Sequence, residues 1–429
     1  MFNVFNILKK IGEKTMLQEF TIERPQYIKT LLMFKDTDLI KILTGVRRCG
    51  KSTVYELYAE ELKKQGVSQN QIQIIKLEEE ENSELSDYRK LHQRVMDNLV
   101  ADKKNYIFLD EIQNVKDFEK AVRSLYEKKN LDLYLTGSNS KLQSGEWATS
   151  LTGRYIEIKM YPLSFKEFLS VHPTENLDKA YSDYLSYSSF PYTQHFVNLN
   201  MQGLKKQIDI YLTGIYDTVV LYDVMDKKSI TNASRIKRIM KFMAEAIGSE
   251  ISVKKMSDML KSDGIVIQPA VLDDYLDAFR DAYIWYRADR YDVKGRKVLK
   301  TQNKYYLVDM GIRNLLVGSK LEDRGHILEN IVYLELLRRG YTVYVGKIDY
   351  KNTERKMVTR EVDFVAETSR GLEYYQVSDS MNDPKTLEKE LASLKLIKDN
   401  YPKYVLTRDY GEYDYDGIKQ LNVLEWLSQ

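Results

Sequence analysis

Nine consecutive residues, Gly45-Val46-Arg47-Arg48-Cys49-Gly50-Lys51-Ser52-Thr53, follow the pattern G-x-x-x-x-G-K-[ST]. Chemistry on a phosphate chain asks for these residue types. Glycines let backbone N–H groups close around phosphate oxygens, lysine reaches the β and γ phosphates, and the serine hydroxyl can ligate Mg2+. The loop follows an apolar run, Leu39-Ile40-Lys41-Ile42-Leu43-Thr44, and precedes a segment, Ser52 to Gln65, with Val54, Leu57, Tyr58 and Leu62 on one side. Strand, glycine loop and helix is the context in which the pattern is a phosphate site, because the helix N-terminus adds partial positive charge. A chance glycine turn before a helix is the alternative, and that context disfavours it.

A second group of candidates lies about sixty residues on. Asn105-Tyr106-Ile107-Phe108-Leu109 reads as a buried strand and ends in Asp110-Glu111. Paired with the loop, this is the Walker B arrangement: Asp110 would hold Mg2+ and Glu111 would orient and deprotonate the attacking water. Another strand, Leu131-Asp132-Leu133-Tyr134-Leu135, runs into Thr136-Gly137-Ser138-Asn139-Ser140. Ser138 and Asn139 suit either a contact with the γ-phosphate and water or the N-cap of a helix. Arg154, before a strand ending near Met160, is a candidate for stabilising γ-phosphoryl charge in its own subunit or a neighbour's, against a simple surface ion pair. Arg47 and Arg48 either touch phosphate or tie the loop to a neighbouring domain. The acidic run Glu78 to Glu81 reads as a solvated loop.

These segments, with Leu109-Asp110-Glu111-Ile112-Gln113, Leu151-Thr152-Gly153-Arg154 and Tyr161-Pro162-Leu163-Ser164-Phe165-Lys166-Glu167-Phe168, give the chain a specific resemblance. It is similar to the prokaryotic AAA-type ATPases that join this domain to a C-terminal domain of unknown function, over nearly its whole length. The resemblance implies binding and hydrolysis of ATP with Mg2+. Lys51, Glu111, Asn139 and Arg154 would be catalytic, and Ser52 and Asp110 would hold the metal. Gly45, Arg47, Arg48, Cys49, Gly50, Lys51, Ser52, Thr53 and Ser138 would bind nucleotide, with Arg24 near the adenine side. One departure is Ser188-Ser189-Phe190-Pro191, where the family usually has glycines before Phe-Pro, which puts in doubt what is carried over to the helical region from about Pro162 to Ser229.

The C-terminal part offers a second set of carboxylates. An apolar helix from His326 to Leu337 carries Glu329, and strand-like runs contain Asp363 in Glu361-Val362-Asp363-Phe364-Val365 and Gln376 in Tyr374-Tyr375-Gln376-Val377-Ser378. With a closing helix, Leu387 to Lys398, this resembles the restriction-endonuclease-like core, in which a helix Glu, a strand Asp and an [Asp/Glu/Gln]-x-Lys strand hold divalent metal and activate water. Glu329, Asp363 and Gln376 match three places. Ser378 stands where the lysine belongs, and serine supplies no cation. Lys385 or Lys389 on the next helix would have to substitute, so the expectation is a degenerate site kept for binding or packing. With 4 histidines and one cysteine, no zinc-type ligand cluster is visible.

Between the two lie three helical segments, Ser234 to Ile247, Val253 to Leu260 and Pro269 to Tyr283, then an extended segment from Ile284 to Val308. Three helices and a β-wing describe a winged helix. The third helix carries Asp273, Asp274, Asp277 and Asp281 against one Arg280, which a polyanion would repel. The wing carries Arg287, Arg290, Lys294, Arg296, Lys297, Lys300 and Lys304 against Asp289 and Asp292. Two uses stay open: phosphate contact through the wing, 287–304, or domain packing.

The elements that position these residues alternate strand and helix from Leu39 to about Met160, which predicts an α/β fold with a parallel sheet covered by helices. The 429 residues divide into an extension (1–20), the AAA-type domain (21–161), a helical region (162–230), a winged helix (231–318) and a restriction-endonuclease-like domain (319–429). The 65 basic and 63 acidic side chains nearly cancel, so any nucleic-acid surface must be local. One cysteine, Cys49, leaves no intrachain disulfide and suits a cytoplasmic protein. No apolar run approaches the roughly 20 residues of a membrane span. The first ten residues place lysines after the apolar part, the wrong order for a secretory signal, and Met16 is an alternative start.

The leading expectation is an ATP-hydrolysing protein that couples nucleotide state to an unidentified protein partner through its C-terminal domains. An ATP-gated nuclease acting on DNA or RNA and a non-hydrolysing, ATP-stabilised interaction scaffold are the alternatives. Arg154 acting in trans would require an oligomer.

Overall fold

Alternating apolar runs and amphipathic segments in the first third of the chain fold as expected. β1 (Ile40–Thr44), β2 (Ile72–Lys76), β3 (Asn105–Asp110), β4 (Leu131–Gly137) and β5 (Tyr155–Lys159) form one sheet in the order β2-β3-β4-β1-β5, every neighbour parallel. The structure is a computed structural model that describes residues 21–138, 151–198, 203–225, 232–318, 323–352 and 354–429. β1, β3 and β4 are buried along their whole length, as a parallel sheet covered on both faces requires. One face packs on α1 (Pro25–Met33) and α2 (Lys51–Lys64) through Leu31, Tyr55, Tyr58 and Leu62. The other packs on α3 (Tyr88–Met96) and α4 (Phe118–Tyr126) through Leu91, Val95, Val122 and Leu125.

Inside this sheet a charged pair is sealed. Lys41 Nζ lies 2.5 Å from Asp132 Oδ1, and neither side chain is exposed. Asp132 Oδ2 accepts from the Asp36 N–H (2.8 Å) and the Tyr134 hydroxyl (2.8 Å). Burial pulls the Lys41 pKa down against the opposing pull of Asp132.

The helical region follows as α5 (Phe165–Val171), α6 (Leu177–Tyr187), α7 (Thr193–Asn198) and α8 (Leu204–Thr218), the last running into a π-helical turn, Val219–Val224. Ser188 ends α6 at φ +71°, a backbone state that favours glycine. The departure noted in the sequence thus keeps a glycine-like conformation without the glycine. It is held because the Ser189 N–H and hydroxyl both donate to Asp309 Oδ2 at 2.7 Å.

Three helices, α9 (Ala233–Glu245), α10 (Val253–Ser262) and α11 (Pro269–Asp281), precede a hairpin of β6 (Trp285–Asp292) and β7 (Lys297–Leu307). The hairpin does not stand free as a wing. β6 pairs in parallel with β8 (Thr342–Lys351), so the hairpin is the edge of an eight-stranded mixed sheet. That sheet continues through β9 (Met357–Thr368), β10 (Gly371–Ser378), β11 (Lys403–Thr407), β12 (Tyr413–Tyr415) and β13 (Ile418–Asn422), in the order β12-β13-β11-β10-β9-β8-β6-β7. α12 (Met310–Val317), α13 (Arg324–Arg338), α14 (Pro384–Lys395) and α15 (Val423–Ser428) complete the fold. One apolar core runs from Tyr27 through the helical region to Leu427. Among the described residues no helix is long and apolar enough to cross a membrane.

Asp132→Ala is expected to lower unfolding stability by about 3–5 kcal/mol, because it leaves the Lys41 ammonium buried without a counter-charge. Urea unfolding followed by tryptophan fluorescence measures this, and a loss below about 1 kcal/mol would contradict the reading.

Candidate nucleotide site

The loop leaving β1 takes its shape from two glycines. Gly45 sits at φ +151°, and a Cβ there would lie 2.3 Å from the Met160 carbonyl oxygen; Gly50 sits at φ +102° and begins α2. Cys49 faces inward rather than toward a ligand. Its buried thiol lies 3.9 Å from the Met160 carbonyl as a donor, and burial pushes its pKa up. Arg24, expected near adenine, is engaged with protein. It pairs with Glu167 (2.5 Å) and donates to the carbonyls of Cys49 (3.2 Å) and Tyr161 (2.9 Å). It therefore holds the backbone of the loop rather than standing free beside it.

Lys51, at the start of α2, is buried. Its ammonium donates to the carbonyls of Gly45 (3.1 Å) and Val46 (3.4 Å) and lies 3.3 Å from Glu111 Oε1. Burial, the largest single influence, pulls its pKa down, but Glu111 and the other neighbouring groups, Asp110 among them, together outweigh it and the net shift is upward. The same pairing acts in reverse on Glu111, which stays below the usual carboxylate range despite burial. Glu111 adopts φ +53°, ψ +54°, uncommon for a residue with a side chain and typical of functional sites. Its N–H donates to Thr136 Oγ1 (2.7 Å), while its Oε2 accepts from Gln113 Nε2 (2.5 Å) and the Ser138 N–H (3.2 Å). Asp110 accepts from Thr136 Oγ1 at 2.5 Å and from the Ser52 side chain, and burial raises its pKa. Thr136 and Gln113 thus join the candidates: one hydroxyl near the end of β4 bonds both Asp110 and the Glu111 N–H, and Gln113 bonds the Glu111 carboxylate.

The arginines divide. Arg48, at φ +65°, is exposed and lines a cavity of about 890 Å³ with Lys51, Ser52 and Thr53. Tyr192, His195, Tyr211 and Thr218 of the helical region form its opposite wall, a wall that sequence spacing did not reveal. Arg47 also borders the cavity but pairs with Asp223 and Glu78 (both 2.8 Å), so Glu78 is not simply a solvated loop residue. Arg154 is not brought to the site. It precedes β5, which is parallel to β1 with Tyr155 opposite Ile40, so roughly 15 Å of strand separates it from the loop. It is exposed and lies 5.5 Å from the Tyr126 ring centre. Within one chain it stands at the opposite edge of the sheet from the loop. Asn139 lies outside the described residues.

A second cavity, of about 720 Å³, gathers Glu329, Asp363, Gln376 and Ser378 as the C-terminal pattern expected. Its cation comes from elsewhere. Lys304, on β7, places its buried ammonium 2.8 Å from Glu329 Oε1 and 2.6 Å from Glu361 Oε1, and the Tyr306 hydroxyl also donates to Glu329 (2.6 Å). Burial and the neighbouring Glu329 raise the pKa of Asp363 well above its ordinary value. Gln376 donates to Glu390 (2.7 Å), and Ser378 donates to the Ser380 carbonyl (3.0 Å). Lys389 borders this cavity, with its ammonium 3.4 Å from Glu390, and Lys385 is exposed. Among the described residues no three His, Cys, Asp or Glu side chains form a metal-binding group. The wing loses two of its expected surface charges here: Lys304 faces inward, and Arg290 pairs with Glu250 at 2.7 Å with only 5% of its side chain exposed. Arg296 and Lys297 remain exposed.

Fold and site together define a P-loop ATPase domain of the AAA type. An AAA-domain family model matches residues 37–169, and the model of a domain of unknown function, DUF8612, matches residues 178–323. The chain belongs to the family of an uncharacterized Haemophilus influenzae protein, to which it is 38% identical over 414 residues, covering 95% of this chain and 99% of the relative. An uncharacterized Methanocaldococcus jannaschii protein is 29% identical over 451 residues, covering 98% of this chain and 94% of its own. Among solved structures the chain is similar to a Walker-type ATPase of Pyrococcus abyssi (TM-score 0.45, 15% identity, 69% of this chain and 96% of that one). It is also similar to the Aeropyrum pernix Orc1 protein in complex with DNA (TM-score 0.30, 10% identity, 70% and 93%).

Lys304→Met is expected to destabilise the protein by about 3–5 kcal/mol near neutral pH, since it leaves Glu329 and Glu361 without their shared counter-charge. In the native protein Lys304 holds Glu329 below the usual range, so this contribution is present above about pH 4.3 and is lost as pH falls through the lower folded value. In the variant the folded carboxylate pKa values rise instead, and stability increases on acidification from about pH 8 to about pH 5. The gap in urea midpoint between the two proteins must therefore narrow as pH falls; a gap independent of pH would contradict the pairing.

Proposed function

We propose that this chain binds ATP with Mg2+ at residues 45–53, hydrolyses it, and passes nucleotide state through its helical region to a partner held by the C-terminal sheet. One observation carries the reading. Lys51, Ser52, Asp110 and Glu111 meet where β1 and β3 end, and Thr136 of β4 and Ser138 just beyond it donate to the two carboxylates.

Loop N–H groups and the α2 N-terminus bind the phosphate chain, and Lys51 neutralises charge on its β and γ groups. Glu111 is a carboxylate kept ionised by Lys51 and aimed by Gln113 and Ser138, a fit state for a general base. It takes a proton from water as the water oxygen bonds to the γ-phosphorus. The bond to the β,γ-bridging oxygen breaks, ADP leaves with the electron pair, and inorganic phosphate is released. The hard oxygens of Ser52 and Asp110, in hydrogen-bond contact with each other, suit Mg2+ and would hold it. When bound, the ion supplies charge neutralisation on the phosphoryl oxygens. Arg154 serves this chemistry only from a neighbouring subunit, on the exposed surface where it stands.

Lys304 between two carboxylates favours a binding or packing role for the C-terminal cavity over the ATP-gated nuclease. A nucleic-acid partner would use the exposed wing residues Arg296 and Lys297, and the single cysteine suits a cytoplasmic setting.

Lys51→Ala is expected to abolish ATP binding in equilibrium titration with a fluorescent ATP analogue. Glu111→Gln should bind ATP yet lose turnover by about 10²–10⁴-fold in a phosphate-release assay. Equal turnover in Glu111→Gln and wild type would remove Glu111 from the mechanism, and undiminished binding in Lys51→Ala would remove the site.

A further inference from the structure

Arg47 belongs to the phosphate loop, yet its guanidinium faces two carboxylates. Nε lies 2.8 Å from Asp223 Oδ2 and Nη1 lies 2.8 Å from Glu78 Oε1. Glu78 lies just beyond the end of β2, and Asp223 lies on the π-helical turn that ends α8. A single loop side chain therefore joins the phosphate site, the exit of a sheet strand and the helical region.

Asp223 is unusual in two respects. Its side chain is fully buried, and Oδ1 has no hydrogen-bond partner among the described residues, a state that carries a desolvation penalty. Lys51 and Glu111 are near enough to act on its charge. The π turn explains how it arrives there. The Met225 N–H reaches back five residues to the Val220 carbonyl at 3.1 Å. The extra residue in the turn rotates the downstream side chains by about 100° relative to a continued α-helix. π-helical turns of this kind are frequent at functional sites. Around Asp223, Val219, Val220 and Val224 are fully buried and pack with the cores of α9 and α11.

We infer that Asp223 is a positioning residue for Arg47, and that a γ-phosphate draws Arg47 from Asp223, so that the π turn and the helices packed on it read whether the loop carries a triphosphate. The inference rests on the assignment of ATP to residues 45–53. Arg47 borders the same cavity as Lys51 and Ser52, and a guanidinium forms charge-assisted pairs with phosphate as readily as with carboxylate. Loss of Arg47 leaves the buried Asp223 carboxylate uncompensated, which the π turn cannot keep without moving. ADP offers no γ-phosphate and leaves the pair in place. The two nucleotides thus differ in what they contact, which is the requirement for shifting a conformational equilibrium.

The test uses full-length Glu111→Gln protein, which is expected to retain ATP, and hydrogen–deuterium exchange over residues 219–225 and 232–245. ATP, but not ADP, is expected to speed exchange there. Adding Asp223→Asn, which holds Arg47 without charge, should erase the ATP–ADP difference in exchange and tighten ATP about fivefold or more while ADP affinity moves less. Arg47→Gln, which keeps Asp223, should also erase the exchange difference but weaken ATP; it decides the matter if Asp223→Asn fails to fold. Identical exchange with ATP and ADP, in protein whose ATP binding depends on Lys51, overturns the role of Asp223 alone. ATP binding indifferent to Lys51→Ala overturns the site itself.

Discussion

The interaction on which the nucleotide domain depends is the contact between the Lys51 ammonium and the Glu111 carboxylate, 3.3 Å apart and both nearly excluded from solvent. Either charge alone at that depth would be driven toward its neutral form. Together they stay ionised, which the proposed chemistry needs of each. The sheet order sets the terms. β1, which delivers the lysine, and β3, which delivers the glutamate, are not neighbours, since β4 lies between them. Two strand spacings are roughly 9.5 Å, a gap closed by a long lysine side chain from one side and a left-handed turn at Glu111 from the other. The strand between is not passive: Thr136 of β4 and Ser138 just beyond it donate to the carboxylates of Asp110 and Glu111 at the end of β3.

Buried arginines extend this arrangement beyond the sheet. Arg24 holds the loop carbonyl of Cys49 against Glu167 of α5, whose N-cap Ser164 is in turn bonded by that same glutamate. Arg338 of α13 donates to the Pro162 carbonyl (3.2 Å), and its own carbonyl accepts from Gln26 of α1 (2.8 Å). Guanidinium groups suit such places because several fixed donors satisfy several carbonyls at once. The loop, the helical region and the C-terminal sheet are therefore joined by polar contacts as well as by a continuous apolar core. Arg47 pairs instead with two carboxylates, the buried Asp223 and the half-exposed Glu78, and borders the cavity with Lys51 and Ser52, so that under the proposed reading a phosphate competes for it.

Much of this was legible in consecutive residues, and the misreadings share a cause. The loop, Asp110-Glu111 and the strands that bear them are local patterns, and each folded where its periodicity placed it. Arg154 failed on a point of geometry that the sequence did contain. In a parallel sheet, residues before a strand lie at the opposite edge from residues after one, so Arg154 could not share an edge with Lys51. Thr136 and Gln113 lay within segments already singled out, but their partners are decided by side-chain direction. Asp223 and Lys304 were out of reach. One depends on a π turn that re-aims a helix, and the other on a hairpin that joins a sheet assembled more than thirty residues later. Neither pairing leaves a trace in spacing.

The two polar cavities use the same ingredients to opposite effect. At the nucleotide site the lysine shares its hydrogen bonds between two loop carbonyls and one carboxylate, beside a cavity of about 890 Å³. Phosphate oxygens can take over from the two neutral carbonyls while the ammonium stays beside Glu111, so that no charge is left uncompensated. In the C-terminal cavity Lys304 bridges two carboxylates at 2.8 and 2.6 Å, one of them also bonded by Tyr306. Moving that ammonium would strand two negative charges next to Asp363, so it is a fixed cation. Because Lys304 belongs to β7, it fastens the hairpin to α13 and β9. Under the proposed coupling, a displacement of α9 and α11 then has little slack to absorb it at the hairpin, and the eight-stranded sheet must respond as a unit.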